Sequence, residues 1–116
     1  MESSFPKFVK NAQFRIDKSL HNTEAVEGYY YLREDGTQVT FWECHEEKVS
    51  EKHRHDFDEY MVCVSGEYTV YTDSFESILL PGDELLIPAG TEQWGRGKAG
   101  TRTIHVFNGP RVKLPR

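Results

Sequence analysis

The chain has 116 residues, with 19 acidic and 14 basic side chains and a formal net charge of -5. That length suits one domain able to bury about two-thirds of the surface that its unfolded chain would expose. An acidic balance without a basic stripe argues against a nucleic-acid partner, and apolar runs such as Ile78-Leu79-Leu80 and Leu85-Leu86-Ile87 are far too short to span a membrane.

Asn11 to Thr23 fits a weak helix or a strand and loop equally well. Glu27 to Glu34 is aromatic-rich and is predicted as a strand, and Asp35-Gly36 follows as a hairpin turn. Thr37 to His45 continues as a strand, with Val39 and Phe41 alternating against Thr40 and Trp42. Glu46 to Lys52 is predicted as a charged loop. Strands are then expected at Glu59 to Val64, Tyr68 to Thr72, Ser77 to Leu80, Glu84 to Ile87, briefly at Glu92 to Trp94, and at Thr101 to Phe107. Turns at Ser65-Gly66-Glu67, Asp73-Ser74, Pro81-Gly82-Asp83, Pro88-Ala89-Gly90 and Gly95 to Gly100 separate them, and a tail with Pro110 and Pro115 follows. Many short strands between Gly and Pro turns predict an all-β sandwich or barrel.

Cys44 and Cys63 form no closely spaced pair and are expected to be small buried hydrophobes. Met1 to Lys7 has no basic stretch leading into an apolar one, so a cytoplasmic location is expected. His45 ends a predicted strand within reach of a pocket rim, and an incidental position is the favoured reading. Trp94, Tyr60 and Tyr68 are expected in a core or interface, and His21 has no assigned role.

The chemistry concentrates at His53, His55 and Glu59. All three have odd numbers, and residues two apart on a strand share a face, so two imidazoles and a carboxylate can converge. Two nitrogen donors and one carboxylate suit a borderline transition metal.

With its turns included, this pattern resembles the cupin family. The family's first motif has two histidines separated by one residue, then a carboxylate, then a glycine; His53, His55, Glu59 and Gly66 match it in spacing. Its second motif is matched by Gly82, Pro88 and Gly90. The first-motif opening glycine is Glu47 here, the second-motif histidine is Gln93, and the asparagine after it is Gly97. The resemblance covers Val26 to Arg111. It implies a cupin jelly-roll barrel (a double-stranded β-helix) as one domain over residues 1–116, with a core at about 26–111 and an N-terminal arm at 1–25.

It further implies one divalent transition metal ion (iron, nickel, manganese or zinc) on His53, His55 and Glu59. Glu59 either binds the ion or orients a histidine, and Gln93 either lends an amide oxygen or hydrogen-bonds a substrate. The segment of His105, Phe107 and Arg111 is similar to the closing strand of small sugar-acid cupins, including those acting on unsaturated uronates, although their acidic residue is His105 here. His105 is thus a candidate ligand or general acid–base, and Arg111 a candidate carboxylate clamp. The expected function is a mononuclear metalloenzyme on a small polar substrate, either a sugar-acid or carbonyl isomerase or lyase, or a dioxygenase. The alternatives are a non-catalytic sugar or small-molecule binding module and a metal-free barrel. A homodimer is expected, with the apolar side chains of Phe5, Phe8, Phe14 and Ile16 offering surface to a partner.

Overall fold

The structure is a computed structural model that describes residues 4–17 and 25–111. The positions of Leu20, His21, Thr23 and Pro115 lie outside the described residues. Among the described residues, nine strands account for nearly all the regular structure: β1 (Val26–Leu32), β2 (Gln38–Cys44), β3 (Lys48–Val49), β4 (Glu59–Ser65), β5 (Tyr68–Thr72), β6 (Glu76–Leu79), β7 (Glu84–Ile87), β8 (Gln93–Gly97) and β9 (Arg102–Phe107). One 3-10 turn, Ala12–Phe14, interrupts the arm.

The strands form two antiparallel sheets, ordered β1-β2-β9-β4-β7 and β3-β8-β5-β6. Period-two alternation turns one face of each strand inward. On β4 the buried set is Glu59, Met61 and Cys63, and on β9 it is Thr103, His105 and Phe107. His105 and Phe107 share the interior face, as the parity of the last strand predicts. Met61, Cys63, Val70, Leu79 and Ile87 pack together as the apolar core, with Tyr68 and Leu85 against it.

Gly66 makes the β4–β5 turn possible. Its φ is +77°, and an added Cβ would lie 2.6 Å from Thr101 Cα. Only glycine tolerates both constraints.

Two strand assignments differ from the sequence reading. Lys48–Val49 pairs with β8 inside the segment expected to be a loop. β8 itself runs to Gly97, where a glycine-rich turn is expected from Gly95. The reason is steric. A Cβ on Gly95 would overlap the Tyr68 hydroxyl, and one on Gly97 would press on Cys44 Sγ. Both glycines make room for neighbouring side chains and do not break the strand.

The arm also differs from expectation. Phe5 and Ile16 are buried against the chain's own five-stranded sheet. Phe5 meets Phe41 edge-on at 5.3 Å, and Phe14 meets Tyr31 at 5.0 Å. The outer face of β1 and β2 carries Tyr29, Tyr31 and Phe41, so it needs a cover, and the arm supplies it. Glu43, buried on that face, accepts the Phe5 N–H at 2.8 Å and the Ser4 hydroxyl at 3.0 Å. Lys10 bridges Glu27 and Glu43 at 2.9 and 3.3 Å. Of the four apolar arm residues, only Phe8 remains largely exposed, at 81%.

Candidate metal and acid–base centre

A cavity of about 320 Å³ opens between the two sheets. His53, His55, Glu59, Gln93, His105 and Arg111 all line it. The fold brings them together from separate elements. His53 lies on an extended segment bridged to β8, exchanging backbone hydrogen bonds with Gln93 at 2.9 and 2.8 Å. The Gly90 N–H donates to the His55 carbonyl at 2.8 Å. The chain then bends at Asp56-Phe57 before β4 begins at Glu59. The three odd-numbered residues thus do not share one unbroken strand; the bend delivers Glu59 to the same side.

The donor atoms of His53, His55 and Glu59 lie within 4.8 Å of one another. His53 Nδ1 is 2.8 Å from the Glu51 carbonyl. A carbonyl only accepts, so Nδ1 carries a proton and Nε2 is the nitrogen turned toward the cluster. His55 Nε2 is buried and has no hydrogen-bond partner, at 3.7 Å from Glu59 Oε1. A buried imidazole nitrogen without a partner is costly unless something else satisfies it. Burial drives the His55 pKa down to about 4, against the pull of Glu59, so the ring is neutral at neutral pH, the form that binds metal. Two imidazoles beside a carboxylate fit a divalent transition ion.

Glu59 is 3% exposed. Burial alone would raise its pKa, but hydrogen bonds from His105 and Gln93 and the nearby histidines outweigh that, and the net shift is downward. Gln93 Nε2 donates to Oε1 at 2.8 Å, and His105 Nδ1 lies 2.6 Å from Oε2. The carboxylate thereby fixes the Gln93 amide, with its NH2 toward Glu59. His105 Nε2 meets Thr103 Oγ1 at 2.9 Å. Burial pushes the Arg111 guanidinium down from its ordinary range, partly offset by Glu59 and Tyr68.

His45 does not reach the pocket rim. It sits on the outer side, 3.0 Å from Glu27. Glu27, Glu43 and His45 form a second close cluster, but Lys10 already fills it. Trp94 also faces outward, stacked on Tyr71 at 5.5 Å with Lys52 over its ring at 4.6 Å. Cys44 lines the cavity as a thiol that burial pushes up to about 11, so it is no nucleophile at neutral pH.

The sequence reading did not assign Trp42 and Tyr68 to the cavity wall. The available signal was the set of in-strand glycines. Gly28 pairs with Trp42, and a Cβ on it would overlap the indole; Gly95 does the same for Tyr68.

No family model matches the sequence, and no curated protein is similar to it in sequence. Solved structures are similar in shape. An RmlC-like cupin from Shewanella frigidimarina superposes with a TM-score of 0.70 at 17% identity, over 90% of this chain and 86% of its own. The chain has the cupin fold. KdgF from a Halomonas species matches with a TM-score of 0.68 at 17% identity, covering 80% and 83% of the two chains. A putative mannose-6-phosphate isomerase from Ralstonia eutropha gives 0.65 at 19% identity, covering 75% and 87%. Structures of this cupin type thus include enzymes as well as proteins of unstated function. Among the described residues, no helix is long and apolar enough to cross a membrane.

Proposed function

We propose that the protein is a mononuclear metalloenzyme that moves a proton on a small carboxylate-bearing carbonyl compound, as an isomerase or lyase. His53, His55 and Glu59 would hold one divalent transition ion (iron, nickel, manganese or zinc), with the Gln93 amide oxygen beside it. The ion's contribution, once bound, would be Lewis-acid polarisation of a substrate oxygen.

The protein's own residues supply the rest. His105 is the proton carrier. Glu59 fixes its ring through Nδ1, which leaves Nε2, toward Thr103 and the cavity, as the atom that takes and returns the proton. Arg111 clamps the substrate carboxylate through paired N–H groups.

The single observation that carries this reading is the 2.6 Å contact between His105 and Glu59, in the same cavity as the unpartnered His55 Nε2. It favours proton transfer over dioxygen chemistry, because a carboxylate-oriented imidazole serves the former directly. The test uses protein purified without a histidine tag and checked by elemental analysis. Solvent-deuterium exchange into sugar acids and 2-oxo acids is expected for the wild type. His105→Ala is expected to retain the metal and lose the exchange. Oxygen uptake with catechols and no proton exchange would select the dioxygenase. Saturable binding without turnover would select a binding module.

A homodimer and a cytoplasmic location complete the proposal. Exposed Ile78, Leu80 and Leu86 support an apolar contact between copies, and the acidic charge balance fits a small-molecule ligand rather than nucleic acid. Light scattering reads the oligomeric state.

A further inference from the structure

The cavity has more wall than proton transfer on a small carbonyl compound requires. Tyr68 reaches in from β5, with its ring edge-on to His105 at 5.9 Å and 81°. Its hydroxyl lies over Gly95, where any side chain would displace it. No hydrogen-bond partner for that hydroxyl is found among the described residues. Tyr68 is half-buried and lines the cavity. Burial raises the Tyr68 pKa, so the group stays protonated and is a donor at neutral pH.

Trp42 forms another part of the wall. Its N–H donates to Thr40 Oγ1 at 2.8 Å, so its polar edge is already satisfied. What it gives the cavity is aromatic surface, seated over Gly28. Trp42 lies two residues along β2 from Thr40, which pairs with His105. The indole N–H reaches back to Thr40, so the ring belongs to the same stretch of wall as the imidazole. At about 320 Å³ the cavity lies near the lower end of small-molecule pockets, which begin at roughly 300 Å³.

The cavity therefore offers imidazole and carboxylate chemistry together with ring surface and one hydroxyl donor. A planar ring carrying an oxygen acceptor matches both the ring surface and the hydroxyl donor. We propose that the substrate is an aromatic 2-oxo acid bearing an oxygen substituent on its ring. Its carboxylate meets Arg111, its enolisable carbon lies by His105, its ring lies against Trp42, and its ring oxygen accepts from the Tyr68 hydroxyl. The assignment depends on the proton-transfer reading of the same cavity and narrows it.

The test is isothermal titration of tag-free protein of measured metal content with 4-hydroxyphenylpyruvate, phenylpyruvate, pyruvate and galacturonate. Binding is expected in that order of strength, with the ring hydroxyl contributing about three- to tenfold. Tyr68→Phe is expected to erase the difference between 4-hydroxyphenylpyruvate and phenylpyruvate and to leave pyruvate unchanged. Gly95→Ala, which displaces the hydroxyl without removing it, is expected to do the same, so the result does not depend on one variant folding. Two results would overturn the assignment: galacturonate binding as tightly as the aromatic acids, or a hydroxyl preference that survives in both variants. Failure of all four probes with metal present sinks this substrate class alone, whereas protein that takes up no metal sinks the metalloenzyme reading.

Discussion

His55→Ala separates a metal ligand from a packing residue, because the two roles predict different thermal melts. In the metal-free protein the substitution has two opposed effects. It removes a stacked contact with Phe57 at 5.1 Å and an edge contact with Phe107 at 5.5 Å. Aromatic pairs of this kind contribute about 0.5–1.5 kcal/mol each. It also removes a buried nitrogen that has no partner, a burden of about 1–3 kcal/mol. The terms nearly cancel, so the metal-free variant should melt within about 5 °C of wild type. Metal changes the comparison. An ion at a hundred times its dissociation constant stabilises the folded state by about 2.7 kcal/mol. With an unfolding entropy of about 2.1 cal/mol/K per residue, that shifts the wild-type melting temperature by roughly 11 °C. The variant should show almost none of this shift. The assay is differential scanning fluorimetry of tag-free protein with and without added nickel or zinc, paired with elemental analysis. A metal-induced shift of wild-type size in His55→Ala would refute the ligand assignment.

Two further perturbations test the frame around the site. Gly66→Ala forces a side chain onto a φ of +77° and against Thr101; a loss of about 2–4 kcal/mol in denaturant unfolding is expected, and a neutral result would mean that the turn is built differently. Glu27 is opposed by burial but held by Lys10, Tyr29 and His45, which together lower its pKa from 4.5 to about 2. A depressed folded-state value stabilises above the unfolded pKa, so this contribution should fade as pH falls from 4.5 toward 2. Glu27→Gln should flatten that part of the stability profile, and an unchanged acid limb would show that the arm's ion pairs do not stabilise the fold.

The sequence made the sheet architecture readable because turns are local. Asp35-Gly36, Pro81-Gly82 and Pro88-Ala89-Gly90 each act through their own backbone, and strand positions follow from them. The metal candidates were readable for the same reason, since His53 and His55 are near neighbours and Glu59 is one bend away. Alternation also put His105 with Phe107 correctly. Side-chain partnership across strands was less accessible. That Glu59 would hold both Gln93 and His105 depends on the register of β4 against β9 and on the packing of two sheets. The fate of the arm depended on which face of β2 turns inward. There the usual polarity is reversed: Gln38 and Thr40 are buried inside, while Phe41 faces out under Phe5. A hydrophobic pattern read from sequence assigns such a strand the wrong inner face.

That reversal itself points to function. A barrel selected only for stability would fill the inward positions of β2 and β9 with aliphatic side chains. Here the inward set includes Gln38 and Thr40 on β2 and Thr103 and His105 on β9, each at most 5% exposed, beside the apolar Phe107. Burying such groups costs free energy unless each finds a partner. Two of these threonine hydroxyls have cavity-lining partners: Thr40 Oγ1 accepts the Trp42 N–H, and Thr103 Oγ1 meets His105 Nε2. In both cases the hydroxyl fixes the orientation of a ring that lines the cavity. The polar interior is therefore a scaffold that holds the rings still, and the apolar core is displaced to Met61, Cys63, Val70, Leu79 and Ile87. Departures from the stability optimum concentrated around one cavity are what a preorganised site requires.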